Sequence, residues 1–202
     1  MPDSSLVCGW ARNSDIEHRY HDQEWGKLKL DDRTLFEFVV LESAQAGLSW
    51  RTVLNKREGY RQHYQNFEPQ RVANFGESEI SAMLADPGVI RNRAKIEASI
   101  GNAKVFLQLV QEHGSFANYI LGFTQGAVVV HTCQSMAQIP ADTELSKTIA
   151  KDLKKRGMRF FGSTIVYAYL QACGFVNDHI QSCPQYAESI DLAREAGYLE
   201  AN

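Results

Sequence analysis

The chain has 202 residues, of which 44% are hydrophobic and 22% are charged, and its formal net charge is -3 at pH 7. This length suits one domain, or two small domains that share a cleft, and no apolar run reaches the roughly 18 residues that cross a bilayer. The first residues lack the basic and apolar segments of a signal peptide, so we expect a soluble, cytoplasmic protein without a membrane partner. In that compartment the four cysteines are expected to be free or metal-bound.

The hydrophobic periodicity predicts helices along almost the whole chain. The first strongly periodic helix runs from a cap at Asp31 or Asp32 to about Ala46. The further predicted helices, in chain order, span 50–64, 69–75, 77–84, 92–113, 116–123, 144–156, 163–172 and 186–199. The remaining stretches are a turn at 87–88, a loop at 135–143 and a β-branched run at 127–131 that is too isolated to build a sheet.

The helix before Gly47 carries a carboxylate where a core residue is expected. Its apolar face follows helical spacing and consists of Leu35, Phe38, Val39, Glu42 and Ala46. Glu37 falls on the opposite, polar side together with Arg33. A buried carboxylate is costly unless hydrogen bonds or a cationic or proton-donating ligand compensate it. Glu42 is therefore either a functional group or a half-exposed residue at the rim of a slightly rotated helix.

The segment 154–164 predicts two helices joined by a short hairpin that contains glycine. Between 147 and 159 the chain has one acid and six basic residues, at 147, 151, 154, 155, 156 and 159. Free amides at a helix N-terminus bind phosphate oxygens, so the hairpin could hold one DNA strand. The alternative is a solvated helix end with a glycine C-cap. A smaller basic cluster, Arg91, Arg93 and Lys95, is more typical of an ordinary surface.

Cysteine and histidine residues recur near both ends of the chain. Two of each type suit tetrahedral zinc, and His179 and Cys183 are spaced to share one face of a helical turn. No Cys-x2-Cys pair is present, so buried thiols and surface histidines remain the alternative. Cys133 and Cys173 lack a histidine at a useful spacing, and Cys173 is expected in the core. The histidines expected at the surface are His18, His63, His113 and His131.

Five blocks of sequence, in order, carry a family resemblance. They are CGW at 8–10, YHDQEWG at 20–26, LESAQAGLSW at 41–50, KKRG at 154–157 and ACGFVNDH at 172–179. Together they resemble the 3-methyladenine DNA glycosylase I family, over nearly the whole chain from Cys8 to about Cys183. The resemblance implies an all-α helix-hairpin-helix glycosylase fold in which a zinc site joins the N- and C-terminal regions. It implies one catalytic unit over 1–202, with two helical lobes around a base-binding cleft.

The resemblance also implies roles for individual residues. The ligands of one structural zinc ion would be Cys8, His21, His179 and Cys183. The base pocket would contain Trp10, Tyr20, Glu42 and Trp50, with Glu42 as the catalytic residue. The DNA-binding residues would be Gly47, Leu48, Gly157, Gly162, Ser163 and Thr164.

The implied reaction is hydrolysis of the N-glycosidic bond of 3-methyladenine, a cationic alkylated purine. The substrate would be double-stranded DNA with alkylated bases, and the products would be the free base and an abasic site. We expect a monomer. Two alternatives remain open: a non-catalytic, zinc-stabilised DNA-binding or damage-sensing protein with the same fold, and a zinc hydrolase, which would need an open zinc position.

Two positions depart from the family's pattern. The family often has an aromatic residue three positions before the Tyr20-His21 pair, and this chain has Glu17 there. Many relatives in the superfamily use an aspartate after the hairpin to support the reaction. The nearby acid here is Asp178, directly beside a predicted zinc ligand, and the resemblance assigns it no role. The tail from Pro184 lies outside the matched blocks.

Overall fold

The computed structural model describes residues 7–199. Residues 1–6 and 200–202 lie outside this range. The prediction that the N-terminus is not a signal peptide concerns residues 1–6 and so lies outside the described residues. Within the described range, no helix is both long enough and apolar enough to span a membrane.

Helices form most of the structure. The α-helices are α1 (Asp15–Gln23), α2 (Asp32–Gln45), α3 (Trp50–Leu54), α4 (Arg57–His63), α5 (Pro69–Val72), α6 (Glu77–Ala85), α7 (Arg93–His113), α8 (Phe116–Leu121), α9 (Glu144–Arg156), α10 (Ser163–Ala172) and α11 (Pro184–Glu195). Short 3-10 helices lie at Gly9–Asn13, Gln65–Phe67, Gly122–Thr124 and Met136–Gln138, and two short strands are β1 (Val129–Val130) and β2 (Val176–Asn177).

Local capping signals determine where the long helices begin and end. Asp31 is the N-cap of α2, because its side chain accepts a hydrogen bond from the Thr34 amide at 3.1 Å. Asp32 instead accepts from the Phe116 amide at 2.8 Å, which ties α2 to the start of α8. Gly114 ends α7 and Gly157 ends α9, both with positive φ angles that favour glycine.

Helix α1 was not predicted, the helices predicted at 69–75 and 186–199 have other bounds, and two further predictions differ from the structure in kind. The helix predicted at 50–64 is two helices, α3 and α4, which are separated by a turn at Asn55 and Lys56. The stretch 127–131 does contribute to a sheet, so the prediction that it could not was wrong. β1 pairs in parallel with β2, with Val129 opposite Val176. The partner strand lies far along the chain, so local sequence gave no indication of the pairing.

Helix α2 occupies the centre of the molecule, where it packs against α3, α7, α8 and α10. Every residue from 35 to 44 is buried, including those on the side predicted to face water. The prediction for Glu37 was therefore wrong, since its exposed fraction is 7%. Its carboxylate accepts hydrogen bonds from Arg57 at 2.7 Å and Arg61 at 3.2 Å, both on α4. These two cations compensate the charge that α4 removes from solvent.

Candidate active site and metal centre

A cavity of about 340 Å³ opens between α1, the end of α2, the start of α3 and one face of α10. The loop before α9 closes its remaining side. The lining residues are Trp10, Glu17, Tyr20, Trp25, Glu42, Gln45, Trp50, Met136, Ile139, Pro140, Ala141, Thr164, Tyr167, Ala168 and Gln171. All four residues predicted to form a base pocket are among them. The volume is in the range of small-molecule sites.

Aromatic rings form much of the cavity wall. The ring centroids of Tyr20 and Trp50 lie 5.2 Å apart at an interplanar angle of 55°, and those of Trp10 and Trp25 lie 5.1 Å apart. Trp10 and Tyr20 connect the two pairs, with centroids 6.2 Å apart. Such rings offer electron-rich faces to a flat or cationic ligand.

Glu42 reaches the cavity from the buried face of α2, as its helical spacing predicts. Its exposed fraction is 2%, and burial raises the pKa of its carboxyl group to about 8. Within residues 7–199, its Oε2 atom has no hydrogen-bond partner. An unpaired carboxylate oxygen is expensive to bury, so this site favours a ligand that donates a hydrogen bond or carries positive charge.

Two further polar atoms of the cavity residues lack partners in the described part of the chain. They are the hydroxyl oxygen of Tyr20 and the indole Nε1 of Trp50. Each buried polar group left unpaired costs about 1–3 kcal/mol. The cavity thus combines an unpaired acceptor with two groups that can donate, and this combination fits a ligand that has both types of group.

Glu17 also lies on the cavity wall, at the position where the resemblance leads us to expect an aromatic ring. Its exposed fraction is 7%. Its Oε2 atom accepts a hydrogen bond from the Ser14 hydroxyl at 2.6 Å. This part of the wall is therefore acidic, whereas an aromatic residue would have made it apolar.

A turn at residues 46–49 connects α2 to α3 beside the cavity. Gly47 has a φ angle of +79°, and Leu48 is 40% exposed. The amine of Lys95 donates hydrogen bonds to the carbonyl oxygens of Ala44, at 2.8 Å, and Ala46, at 2.6 Å. Lys95 therefore stabilises the end of α2. This agrees with the prediction that its basic cluster belongs to an ordinary surface and is not a binding site.

Helices α9 and α10 are joined by the short turn predicted from the glycines. A groove of about 880 Å³ runs along this turn, and three of the predicted DNA-binding residues, Gly157, Gly162 and Ser163, lie on it. Its basic residues are Lys147, Lys151, Lys154 and Arg159. Thr164, the fourth predicted residue of the hairpin, lies on the cavity with aromatic walls instead. The start of α10 therefore contributes to both the groove and the cavity.

The four predicted metal ligands meet in one buried cluster. Their ligand atoms, which belong to Cys8, His21, His179 and Cys183, all lie within 4.8 Å of one another. Cys183 Sγ lies 3.6 Å from His21 Nε2 and 3.7 Å from His179 Nδ1, and Cys8 Sγ lies 3.7 Å from the same His179 atom. Such a set of soft sulfur and imidazole ligands suits zinc.

In His21 and His179, the outer ring nitrogen, which faces away from the cluster, has a partner of its own. His21 Nδ1 lies 2.7 Å from the carboxylate of Asp22, and His179 Nε2 lies 3.2 Å from the carbonyl oxygen of Trp25. If each outer nitrogen donates to its oxygen, the lone pair of the other nitrogen points into the cluster. Gly26 leaves room for this arrangement, because a Cβ atom there would lie 2.6 Å from His179 Nε2.

His179 and Cys183 do not lie on a helical turn, so that detail of the prediction was wrong. They are separated by Ile180, which forms an isolated parallel bridge with Cys133, and Cys183 is the N-cap of α11. The Cys183 amide donates a hydrogen bond to the Ile180 carbonyl oxygen at 2.8 Å, which closes a turn between the two ligands.

A family model described as methyladenine glycosylase matches residues 10–186. The chain belongs to the methyladenine glycosylase family. DNA-3-methyladenine glycosylase 1 of Escherichia coli is 43% identical over 179 residues, which are 89% of this chain and 96% of that protein.

Solved structures of the family have the same fold. A crystal structure of 3-methyladenine DNA glycosylase I has a TM-score of 0.84 and 44% identity, and covers 88% of this chain and 98% of its own. A Staphylococcus aureus structure that describes 3-methyladenine recognition has a TM-score of 0.86 and 28% identity, and covers 99% of this chain and 100% of its own.

In this member of the methyladenine glycosylase family, Asp178 belongs to a buried network that sequence reasoning missed. It is 1% exposed and accepts hydrogen bonds from His131, Tyr167 and Gln171, which together hold the pKa of its carboxyl group below the usual value despite burial. The His131 side chain is 39% exposed, as its surface prediction requires, but the spacing of the histidines did not show that Asp178 lies 2.6 Å from its Nδ1 atom.

One signal could have identified the α10 side of the cavity. Its residues Thr164, Tyr167, Ala168 and Gln171 follow the i, i+3, i+4, i+7 spacing of a single helical face. Polar and small residues on such a face indicate a surface that lines a site.

Proposed function

We propose that this protein is a DNA repair glycosylase that hydrolyses the N-glycosidic bond of 3-methyladenine in double-stranded DNA. The reaction releases the free base and leaves an abasic site. The observation that carries the proposal is the buried, unpaired Glu42 carboxylate in a cavity with aromatic walls. Family membership and the names of the relatives support the same reaction. We further propose a monomer with a single catalytic unit, in which two helical lobes flank the cavity.

Recognition of the base depends on charge and stacking. Alkylation at N3 gives the adenine of the nucleotide a positive charge. Trp50 and Tyr20 would hold the flat cation by stacking and cation–π attraction. Ionised Glu42 would accept a hydrogen bond from the base, and a charge-assisted hydrogen bond of this kind is stronger than a neutral one.

The protonation of Glu42 links binding to pH. Since burial raises its pKa to about 8, the protonated form predominates at neutral pH when no cation is bound. A cationic base favours the ionised form, so binding releases a proton. Affinity for a cationic base should therefore rise as the pH increases toward 8.

The chemical step requires little acid catalysis, because a cationic base is a good leaving group. The main tasks of the protein are to remove the nucleotide from the duplex and to recognise the base in the cavity. Leu48 is exposed on the turn next to the cavity, where it could fill the gap left in the duplex. Gly47 would allow the backbone of this turn to approach the DNA.

The turn between α9 and α10 would hold the DNA backbone as a helix-hairpin-helix element. Gly157, Gly162 and Ser163 line the groove, whose lysine and arginine side chains would neutralise phosphates. Because Thr164 follows directly and lies on the cavity, a strand held on the groove passes close to the base pocket.

The Cys/His cluster fits one structural zinc ion per chain. With Zn–S of about 2.3 Å and Zn–N of about 2.0–2.1 Å, a tetrahedral site places sulfur and nitrogen roughly 3.6 Å apart. The observed S···N distances are 3.6, 3.7 and 3.7 Å. Four protein ligands leave no position for a reactive water, which argues against a zinc hydrolase. The cluster would link the segment before α1 to the start of α11.

The test is release of base from methylated duplex DNA, measured under single-turnover conditions. The proposal predicts that 3-methyladenine is released at a rate that exceeds the spontaneous rate. If the protein binds the DNA and protects the lesion without releasing the base, it is a damage-sensing protein and the proposed reaction is wrong.

A further inference from the structure

The cavity contains a second carboxylate that the recognition scheme above does not use. Glu17 lies on α1 three residues before Tyr20, so the two side chains project from neighbouring positions on one face of the helix. With an exposed fraction of 7%, Glu17 is buried almost as deeply as Tyr20 and Glu42. A buried carboxylate is normally paired with a cation or satisfied by hydrogen bonds.

The neighbours of Glu17 satisfy only one of its two oxygens. The Ser14 hydroxyl donates to Oε2 at 2.6 Å, and Arg51 Nε lies 4.0 Å from that same atom. Among residues 7–199, none donates a hydrogen bond to Oε1, which keeps some exposure to solvent and so can receive a donor from a ligand. The Arg51 side chain is 52% exposed and does not line the cavity, so solvent weakens its attraction for the carboxylate.

The charge of the cavity wall is unbalanced. Glu17 and Glu42 both line it, while no lysine, arginine or histidine of the described residues does so. Two acidic side chains on a wall of aromatic rings favour a cation as ligand, because a bound cation stabilises the ionised form of each. A cation in the cavity would lower the electrostatic energy of both groups.

We propose that Glu17 is a specificity-determining residue that, together with Glu42, selects cationic alkylated purines over neutral ones. Its Oε1 atom accepts a hydrogen bond from an N–H group of the base that Glu42 does not contact. This inference rests on the proposed function, because the ligand is taken to be a purine on that basis. It adds a second acidic group to the recognition of the base.

A structural role for Glu17 makes different predictions. Ser14 is the N-cap of α1, and its hydroxyl both donates to Glu17 and accepts from the Glu17 amide. If Glu17 only stabilises this cap, then Ser14→Ala and Glu17→Gln should both lower the melting temperature, and neither should change the preference for charged ligands.

The experiment compares two free ligands that differ in charge. One is 3,9-dimethyladenine, a permanent cation because both nitrogens are alkylated, and the other is neutral 9-methyladenine. Their dissociation constants are measured by calorimetry for the parent protein, Glu17→Gln, Ser14→Ala and Glu195→Gln. Glu195 is exposed at the end of α11 and does not line the cavity, so its variant controls for the loss of one negative charge.

Glu17→Gln should weaken binding of the cation by roughly five- to twenty-fold, and binding of the neutral ligand by less than about twofold. Ser14→Ala and Glu195→Gln should leave the ratio of the two affinities within about twofold of the parent value. If Glu17→Gln also leaves the ratio unchanged, the inference is wrong.

Arg51→Gln provides a second test that does not depend on the folding of Glu17→Gln. Removing this exposed cation should strengthen binding of 3,9-dimethyladenine by about two- to threefold and leave binding of 9-methyladenine unchanged. An unchanged ratio in this variant contradicts the inference. The base-release assay on the parent protein tests the proposed reaction separately. If no base is released but Glu17→Gln still loses its cation preference, the reaction is wrong and the inference holds.

Discussion

Asn102 and Arg159 exchange two hydrogen bonds. The Asn102 side-chain amide donates to the Arg159 carbonyl oxygen at 3.0 Å, and the Arg159 amide donates to Asn102 Oδ1 at 2.9 Å. Asn102 is 1% exposed within α7, and Arg159 lies in the turn between α9 and α10. One buried side chain thus satisfies both backbone groups of a loop residue, which fixes the turn against the longest helix.

Asn102→Ala should loosen this turn without altering the base cavity. Leaving the Arg159 backbone groups unpaired should cost about 1–3 kcal/mol of stability. Affinity for undamaged duplex DNA should fall several-fold, while affinity for free 3-methyladenine stays unchanged. Asn118→Ala is the matched control, because Asn118 is exposed and also donates to a backbone carbonyl, that of His113. Equal DNA affinities for the two variants would show that Asn102 does not position the turn.

Gly162 provides a test of the DNA-binding assignment that does not damage the fold. A Cβ atom at this position would meet nothing within 4 Å, and the φ angle is -74°. Gly162 is also the N-cap of α10, a position that favours aspartate and asparagine. Gly162→Asp should therefore fold normally but weaken DNA binding at least about tenfold through repulsion of phosphate, since phosphate contacts dominate affinity.

The neutral variant Gly162→Asn has nearly the same shape as Gly162→Asp, so it separates charge from size. It should retain most of the DNA affinity, and added salt should reduce the difference between the two variants. If the aspartate variant binds duplex DNA as tightly as the asparagine variant, phosphate does not lie near Gly162.

The metal prediction is one tightly bound zinc ion per chain, measured by elemental analysis of freshly purified protein. Metal binding and folding are coupled, so Cys183→Ala should lower the melting temperature, and a strong chelator should lower it for the parent protein. Cys133→Ala is a suitable control, because Cys133 is also buried but lies outside the cluster. Metal-free protein with an unchanged melting temperature in Cys183→Ala would contradict a structural site.

Glu42→Gln should stabilise the protein in a way that depends on pH. Burial raises the pKa of Glu42 to about 8 in the folded chain, against an ordinary value of 4.5. Between these two values the native state binds the proton more tightly than the unfolded state, so the stability of the parent falls as pH rises. Below about pH 4.5 this loss is absent, and above about pH 8 it is complete.

The gain in free energy of unfolding from Glu42→Gln should therefore grow from pH 5 to pH 8 and then level off, reaching at most roughly 5 kcal/mol. Urea unfolding of both proteins at pH 5, 7 and 8.5 measures this difference. A gain that is the same at every pH would mean that Glu42 does not titrate in this range.

Local signals in the sequence predicted much of this fold. The caps Asn92 and Thr143 and the glycines after α7 and α9 determine where those helices begin and end, and each acts within a few residues. Helical spacing placed Glu42 on the apolar face of α2 and left half-exposure as the alternative, and the structure shows the side chain buried. The metal cluster became predictable only through the family resemblance, because its ligands come from opposite ends of the chain.

The errors arose where distant segments determine the environment of a residue. Spacing along α2 gives one apolar face, but it does not show that α4 places two arginines over Glu37 on the other side. The pairing of Val129 with Val176 and the contact between His131 and Asp178 likewise depend on segments brought together by the tertiary fold. Helical spacing also did not reveal that Glu17 lies on the cavity wall, because that depends on the position of α1 against α10.

The most direct test of the account is the single-turnover release of 3-methyladenine from methylated duplex DNA by the parent protein and by Glu42→Gln. Glutamine keeps the shape of the side chain but removes its charge. Losing a charge-assisted hydrogen bond of about 1.5–3 kcal/mol should slow release by roughly ten- to a hundred-fold at saturating protein. Affinity for undamaged duplex should stay unchanged, because Glu42 is buried. If Glu42→Gln releases 3-methyladenine as fast as the parent, the charge of Glu42 does not recognise the base, and the central claim is wrong.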